Sequence, residues 1–269
     1  MNKLHPARSR VPFLGLSFDP LDQAEAMRLV EAMARQGRFA YVITPNVDHV
    51  VGFTRDPADT ALHRAYEQAD LVLCDSRVLQ ILAGWSGLEL PVVTGSDLTV
   101  RLLHEVNEAG GCRIAVIGGD HALLAKLGRL YPAIAWSQHL PPMGVRHDPD
   151  ARRAIADFVE RAGADIVLFA IGAPQSEIVC AEIAARGGAR GVALCIGASL
   201  EFVTGAKRRA PALLQSLRLE WLFRLLSEPR RLWRRYLVEG PRILGIWLRW
   251  RANRSPRRDA YEPSHRDPS

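Results

Sequence analysis

Five short apolar runs, FAYVI (39–43), DLVLC (70–74), CRIAVIG (112–118), DIVLFAIG (165–172) and GVALCIG (191–197), are continuous instead of alternating. Strands of that kind are buried on both faces, as in parallel sheets. Helical periodicity fills the intervals at 22–35, 58–68, 97–109, 120–130, 151–162 and 175–186, with Asp22, Ser96 and Asp148 as the expected helix starts. Strand and helix in alternation predict a Rossmann-like α/β fold, a mostly parallel sheet with helices on both faces. Nearly half of the 269 residues are apolar, enough to give one such domain a core over residues 10–205.

In sheets of this class ligands bind beyond the carboxyl ends of the strands. Those ends are polar here: Thr44-Pro45-Asn46, Asp75-Ser76, Gly118-Gly119-Asp120, Gly172 to Glu177 and Gly197 to Glu201. Each has a local explanation beside a chemical one. Asp75 suits a general base, and equally a cap for a helix starting at Arg77. Thr44 and Asn46 flank a proline turn, where Asn serves local hydrogen bonding. The Gly118-Gly119 pair lets a phosphate approach helix N–H groups. The full GxGxxG spacing is missing, however, and no acidic residue ends the next strand near Ser137, so a dinucleotide-binding oxidoreductase is disfavoured.

Metal and thiol chemistry find little support. Asp148-Pro149-Asp150 has the form of a DxD metal motif, but its place just before ARRAIADFV marks it as a helix cap. The eight histidines show no metal-ligand spacing, and His49 is expected to pack on a helix face. Cys74, Cys112, Cys180 and Cys195 are scattered and form no CxxC pair, so they read as reduced core residues of a cytoplasmic protein. The N-terminal stretch has no apolar core long enough for a signal peptide. Ile243 to Trp250, the best spanning candidate, is far short of the roughly 18 apolar residues that a membrane helix needs.

Charge is divided sharply along the chain. Residues 207–258 hold 15 basic side chains against Glu220, Glu228 and Glu239, a net +12, whereas residues 1–206 sum to −4. The basic stretch interleaves arginine with an apolar stripe at Leu214, Leu217, Trp221 and Leu225. That pattern suits an anionic lipid surface or a docked helix better than a nucleic-acid groove. A basic helical appendage is expected over 206–254 and a disordered tail over 255–269. Pro229 should divide the appendage into helices at about 212–227 and 229–238, because an interior proline removes a backbone donor.

Taken in order, TPNVDHVV, ADLVLCDS, VTGSDL, RIAVIGG, PPMG, GAPQSE, IGASLEFVTG and then KRRAP with LEWLFRLLSEPRRLWRRY resemble the WecG/TagA/CpsF glycosyltransferases, glycosyltransferase family 26. The likeness runs from Val42 to Tyr236. It implies an inverting hexosyltransferase that needs no metal or other cofactor. Such an enzyme moves a sugar from a UDP-sugar to a polyprenyl-diphosphate-linked sugar at the inner face of the bacterial membrane, in the synthesis of teichoic acid, common antigen, capsule or exopolysaccharide.

By this resemblance Asp75 is the catalytic base, with Thr44 and Asn46 beside it in the pocket. Gly118, Gly119, Gly172, Pro174, Ser176, Glu177 and Glu201 face the donor, and Arg224, Arg231 and Arg234 reach the diphosphates. A leaving UDP requires positive charge on electrostatic grounds as well. Seven positions depart from the family pattern. Ser76 replaces a glycine, Val92 an arginine, Gln175 a lysine and Ser176 a glutamine, and Ser199-Leu200-Glu201 stands in place of an Ala-Phe-Asp triplet. These changes bear on which sugars bind more than on the reaction class; N-acetylmannosamine, its uronic acid and glucose all remain open as donors.

Overall fold

A computed structural model describes residues 9–205 and 241–254 of the chain. Eight strands and ten α-helices are found among them. The main sheet holds six strands, β3 (Phe39–Ile43), β4 (Leu71–Val72), β5 (Arg113–Ile117), β6 (Ala135–His139), β7 (Ile166–Phe169) and β8 (Gly191–Cys195), in the order β4-β3-β8-β7-β5-β6. Every pairing in it is parallel. This is the Rossmann-like α/β architecture that the five apolar runs imply.

Alternate residues of each strand feed two core layers. Phe39, Tyr41 and Ile43 face one layer, and Ala40 and Val42 the other. The first layer takes helices α2 (Val47–Arg55), α3 (Thr60–Gln68), α4 (Arg77–Gly84), α7 (Pro149–Ala162) and α8 (Gln175–Arg186). Helices α1 (Gln23–Ala34), α5 (Gly95–Ala109), α6 (His121–Leu130) and α9 (Ser199–Val203) cover the second. Chain therefore leaves β3 toward one face and its neighbour β8 toward the other. The same divergence separates β7 from β5. Such reversals open a crevice beyond the carboxyl ends of the strands, where ligands of this fold class bind.

Helix starts follow capping chemistry. Asp22 caps α1 in a full capping box with Glu25, and Asp148 caps α7 by accepting the Asp150 and Ala151 N–H groups at 3.0 Å each. At α5 the expected cap is corrected. Thr94, not Ser96, accepts the Asp97 N–H at 3.1 Å, and the helix starts two residues before the expected 97. The cysteines are free, and burial pushes the Cys74 thiol up to about 12 and Cys112 to about 11. Both stay protonated at neutral pH, consistent with reduced residues of the core.

A feature absent from the sequence reading is the N-terminal hairpin, β1 (Val11–Phe13) and β2 (Leu16–Phe18), turned at Leu14-Gly15 with φ of 53° and 88°. Just past it, Asp19 completes the exposed side of β4: its N–H donates to Val72 O and its Oδ2 accepts the Val72 N–H, both at 2.8 Å. Arg10 pairs with Asp19 at 3.1 Å and donates to the Ala69 and Asp70 carbonyls. An edge strand that would otherwise offer open backbone groups is thereby covered.

The last helix, α10 (Arg242–Arg254), returns to the domain. Ile243 and Trp247 are buried against it, Trp250 meets Phe13 edge-on at 5.1 Å, and the Trp247 indole N–H donates to Ser86 Oγ at 2.9 Å. Among the described residues no helix is long and apolar enough to cross a membrane. The helices expected at 212–227 and 229–238, the tail at 255–269, and Arg224, Arg231 and Arg234 lie outside the described residues.

Candidate active site

Three strand ends meet at Gly95. Beyond β3, Thr44 is 8 % exposed, and its hydroxyl donates to the Cys195 carbonyl at 3.3 Å, tying β3 to the end of β8. Beyond β4, the Asp75 N–H donates to Pro45 O at 3.0 Å and the Asp75 Oδ2 accepts the Gly95 N–H at 3.2 Å. A Cβ at Gly95 would stand 2.9 Å from Thr44 Oγ1 and 3.7 Å from both Asp75 Oδ2 and Ser199 Oγ. Only glycine lets the start of α5 come so near these three side chains.

The capping alternative for Asp75 does not hold. Ser76 caps α4 instead, its Oγ accepting the Leu79 N–H at 3.3 Å, and the Asp75 carboxylate turns to the first N–H of α5. Ser76, a departure from the family pattern, thus has a local task. So has Val92, which bridges Cys74 in parallel and packs on the core, extending the sheet by one residue pair.

Farther along the rim stand the glycine turns. Gly118 and Gly119 have φ of 97° and 71°, and a Cβ on Gly118 would come within 2.8 Å of Ile171 Cγ2. The Gly118 N–H donates to His139 O at 2.9 Å, and Asp120 caps α6 through the Leu123 N–H at 2.7 Å. Gly172 has φ of 78° and its carbonyl accepts the Ser176 hydroxyl at 2.8 Å. Helices α2, α4, α5, α6 and α7 all carry a side-chain cap at this rim, whereas α8, starting after Pro174, and α9, starting after Ala198, carry none. Backbone carbonyls take part of that role, the Ser176 N–H donating to Gly172 O at 3.1 Å and the Ser199 N–H to Ile196 O at 3.0 Å, and a helix start without a side-chain cap suits an anion.

Two of the expected donor residues are buried: Ser176 is 1 % exposed and Glu177 2 % exposed, both in the first turn of α8. Glu177 Oε1 stands 3.6 Å from His49 Nε2. His49 is not simply a packing residue either: it belongs to a capping box with Asn46, whose Oδ1 accepts the Asp48 N–H at 3.0 Å. The Asn-x-x-His spacing sets the two side chains at the N-cap and N3 positions, where a capping-box contact is possible. Glu201 lies half-buried on α9.

Asp148 is engaged as a cap, and exposed Asp150 pairs with Arg153. Among the described residues no three His, Cys, Asp or Glu side chains gather to hold an ion. The rim thus joins a carboxylate, a threonine and a serine at one end to glycine turns and an uncapped helix at the other.

Residues 11–257 match the sequence model of the glycosyl transferase WecG/TagA/CpsF family, nearly the whole chain and every element of the rim. The chain belongs to that family, and with it is a glycosyltransferase of cell-surface polysaccharide synthesis.

Proposed function

We propose that the protein transfers a sugar from a UDP-sugar to a polyprenyl-diphosphate-linked sugar, with inversion and without a metal ion. The observation that carries this reading is the convergence of Thr44, Asp75 and Ser199 on Gly95 at the β4–β3–β8 end of the rim. Asp75 accepts the proton of the acceptor hydroxyl as that oxygen attacks the anomeric carbon. The bond from that carbon to UDP breaks on the opposite face, and UDP leaves with the electron pair. Attack opposite the leaving group inverts the centre in one displacement.

Strand order supports a direction for the donor. Asp75 follows β4 and Gly172 follows β7, three strand intervals away, or about 14 Å at a spacing of about 4.8 Å. A sugar near Asp75 then has its diphosphate toward the uncapped start of α8, with the nucleoside over Gly118-Gly119 and near Glu201. Arg224, Arg231 and Arg234 supply the remaining positive charge at the diphosphates. The excess of +12 in residues 207–258 supports attachment to an anionic membrane surface, where the acceptor resides.

The test is Asp75→Asn. Loss of general-base assistance should lower turnover by about 10²–10⁴-fold, with the melting temperature near that of the native enzyme, while transfer by the native enzyme persists in EDTA. Near-native turnover in Asp75→Asn would remove the base, and EDTA-sensitive transfer restored by magnesium would remove the metal-free reading.

A further inference from the structure

Glu177 is a buried acidic side chain in the first turn of α8. Its Oε2 has no hydrogen-bond partner among the described residues, and its Oε1 faces His49 Nε2 across 3.6 Å, within ion-pair range and beyond hydrogen-bond range. A carboxylate buried in this way costs stability that an amide of the same shape would not. The start of α8 favours an acidic side chain, and His49 is the side chain within ion-pair range of it.

His49 passes the contact onward to the rim. Its Nδ1 lies 2.8 Å from Asn46 Oδ1 and 3.3 Å from the Asn46 N–H, and the same Oδ1 accepts the Asp48 N–H. With the ring proton on Nδ1, which then donates to Oδ1 in place of accepting the Asn46 N–H, the amide oxygen is held on the α2 side, between the helix start and the ring. Nδ2 is the end left to meet a bound molecule, two residues beyond Thr44.

We propose that Glu177 and His49 are a positioning pair that locks the Asn46 carboxamide with its Nδ2–H groups toward the rim, where they donate to a sugar oxygen. The pair acts through Asn46 and touches no substrate itself. This rests on the glycosyl-transfer reading above.

Groups acting in series through one amide give non-additive losses. In sugar transfer by the full-length protein, Asn46→Ala should lower kcat about 10²-fold, the scale of one preorganised donor. Glu177→Gln and His49→Gln should each lower it about 10-fold or more through misplacement of that donor, with KM for the donor little changed. Each double variant with Asn46→Ala should be no slower than Asn46→Ala alone, and Glu177→Gln, having lost a buried charge, should melt no lower than the native protein. If His49→Gln does not fold, Glu177→Gln and Asn46→Ala carry the comparison. Losses that multiply, or native kcat in Glu177→Gln, would overturn the proposal. A second readout does not need catalysis: the ring 15N resonances of His49 should move in both Glu177→Gln and Asn46→Ala, and resonances unmoved in either would also overturn it. Moved resonances in a native protein that transfers no sugar would leave the coupled pair standing and strike the glycosyl-transfer reading.

Discussion

Gly95 shows how much of this site rests on what a residue lacks. The glycine adopts ordinary helical geometry, so its value is the empty space above Cα, into which Thr44, Asp75 and Ser199 lean. In Gly95→Ala the new methyl meets Thr44 Oγ1 at 2.9 Å and must displace it or the start of α5. Overpacking of this kind costs about 1–3 kcal/mol, and a shift of about 1 Å near the reacting atoms costs about 10²-fold in rate. Gly84→Ala is the control: nothing lies within 4 Å of its Cβ, and a compatible Gly→Ala change stabilises by up to about 1 kcal/mol. Urea unfolding and turnover of both variants check this. Equal turnover in the two would mean that Gly95 does not shape the site.

At the scale of elements, what could be read from sequence was set by pattern length. The run FAYVI gave β3 to the residue because five apolar side chains in succession fit only a strand buried on both faces. The strands VPF and LSF are three residues each, too short for periodicity to register, and their hairpin depends on a Leu14-Gly15 turn and on Asp19 bonding to β4. Capping was readable in kind but not in place. Thr94 and Ser96 compete for one helix start, and the hydroxyl that reaches the Asp97 N–H wins. The depth of α8 is not readable from its sequence: residues 176–181 are buried in succession, polar Ser176 and Glu177 among them. Helix α10 makes an element-scale prediction. Trp247 is 9 % exposed and fixes α10 to Ser86, so Trp247→Ala should cost about 3–5 kcal/mol. A loss under about 1 kcal/mol in urea unfolding would mean that α10 does not belong to the domain's cooperative unit.

Across the whole molecule, strand order and charge distribution bring the parts into one account. The order β4-β3-β8-β7-β5-β6 could not be derived from the succession of elements, since the chain crosses from β4 to β5 and then fills the middle of the sheet last. That late filling sets β8 against β3 and brings Ser199 to Thr44 and Asp75, residues more than 100 positions apart in the chain. The near-neutral domain carries the rim, and the basic segment that follows it carries the positive charge that the proposed function assigns to binding a lipid-linked diphosphate. The most direct measurement is transfer itself. Purified protein on anionic vesicles is given a panel of UDP-sugars with polyprenyl-diphosphate-linked N-acetylglucosamine or glucose, and the lipid product is weighed by mass spectrometry. The account expects one donor to add a single sugar to the lipid with release of one UDP, and Asp75→Asn to lose that product. UDP-sugars left intact across the panel, or a lipid product formed equally well by Asp75→Asn, would contradict it.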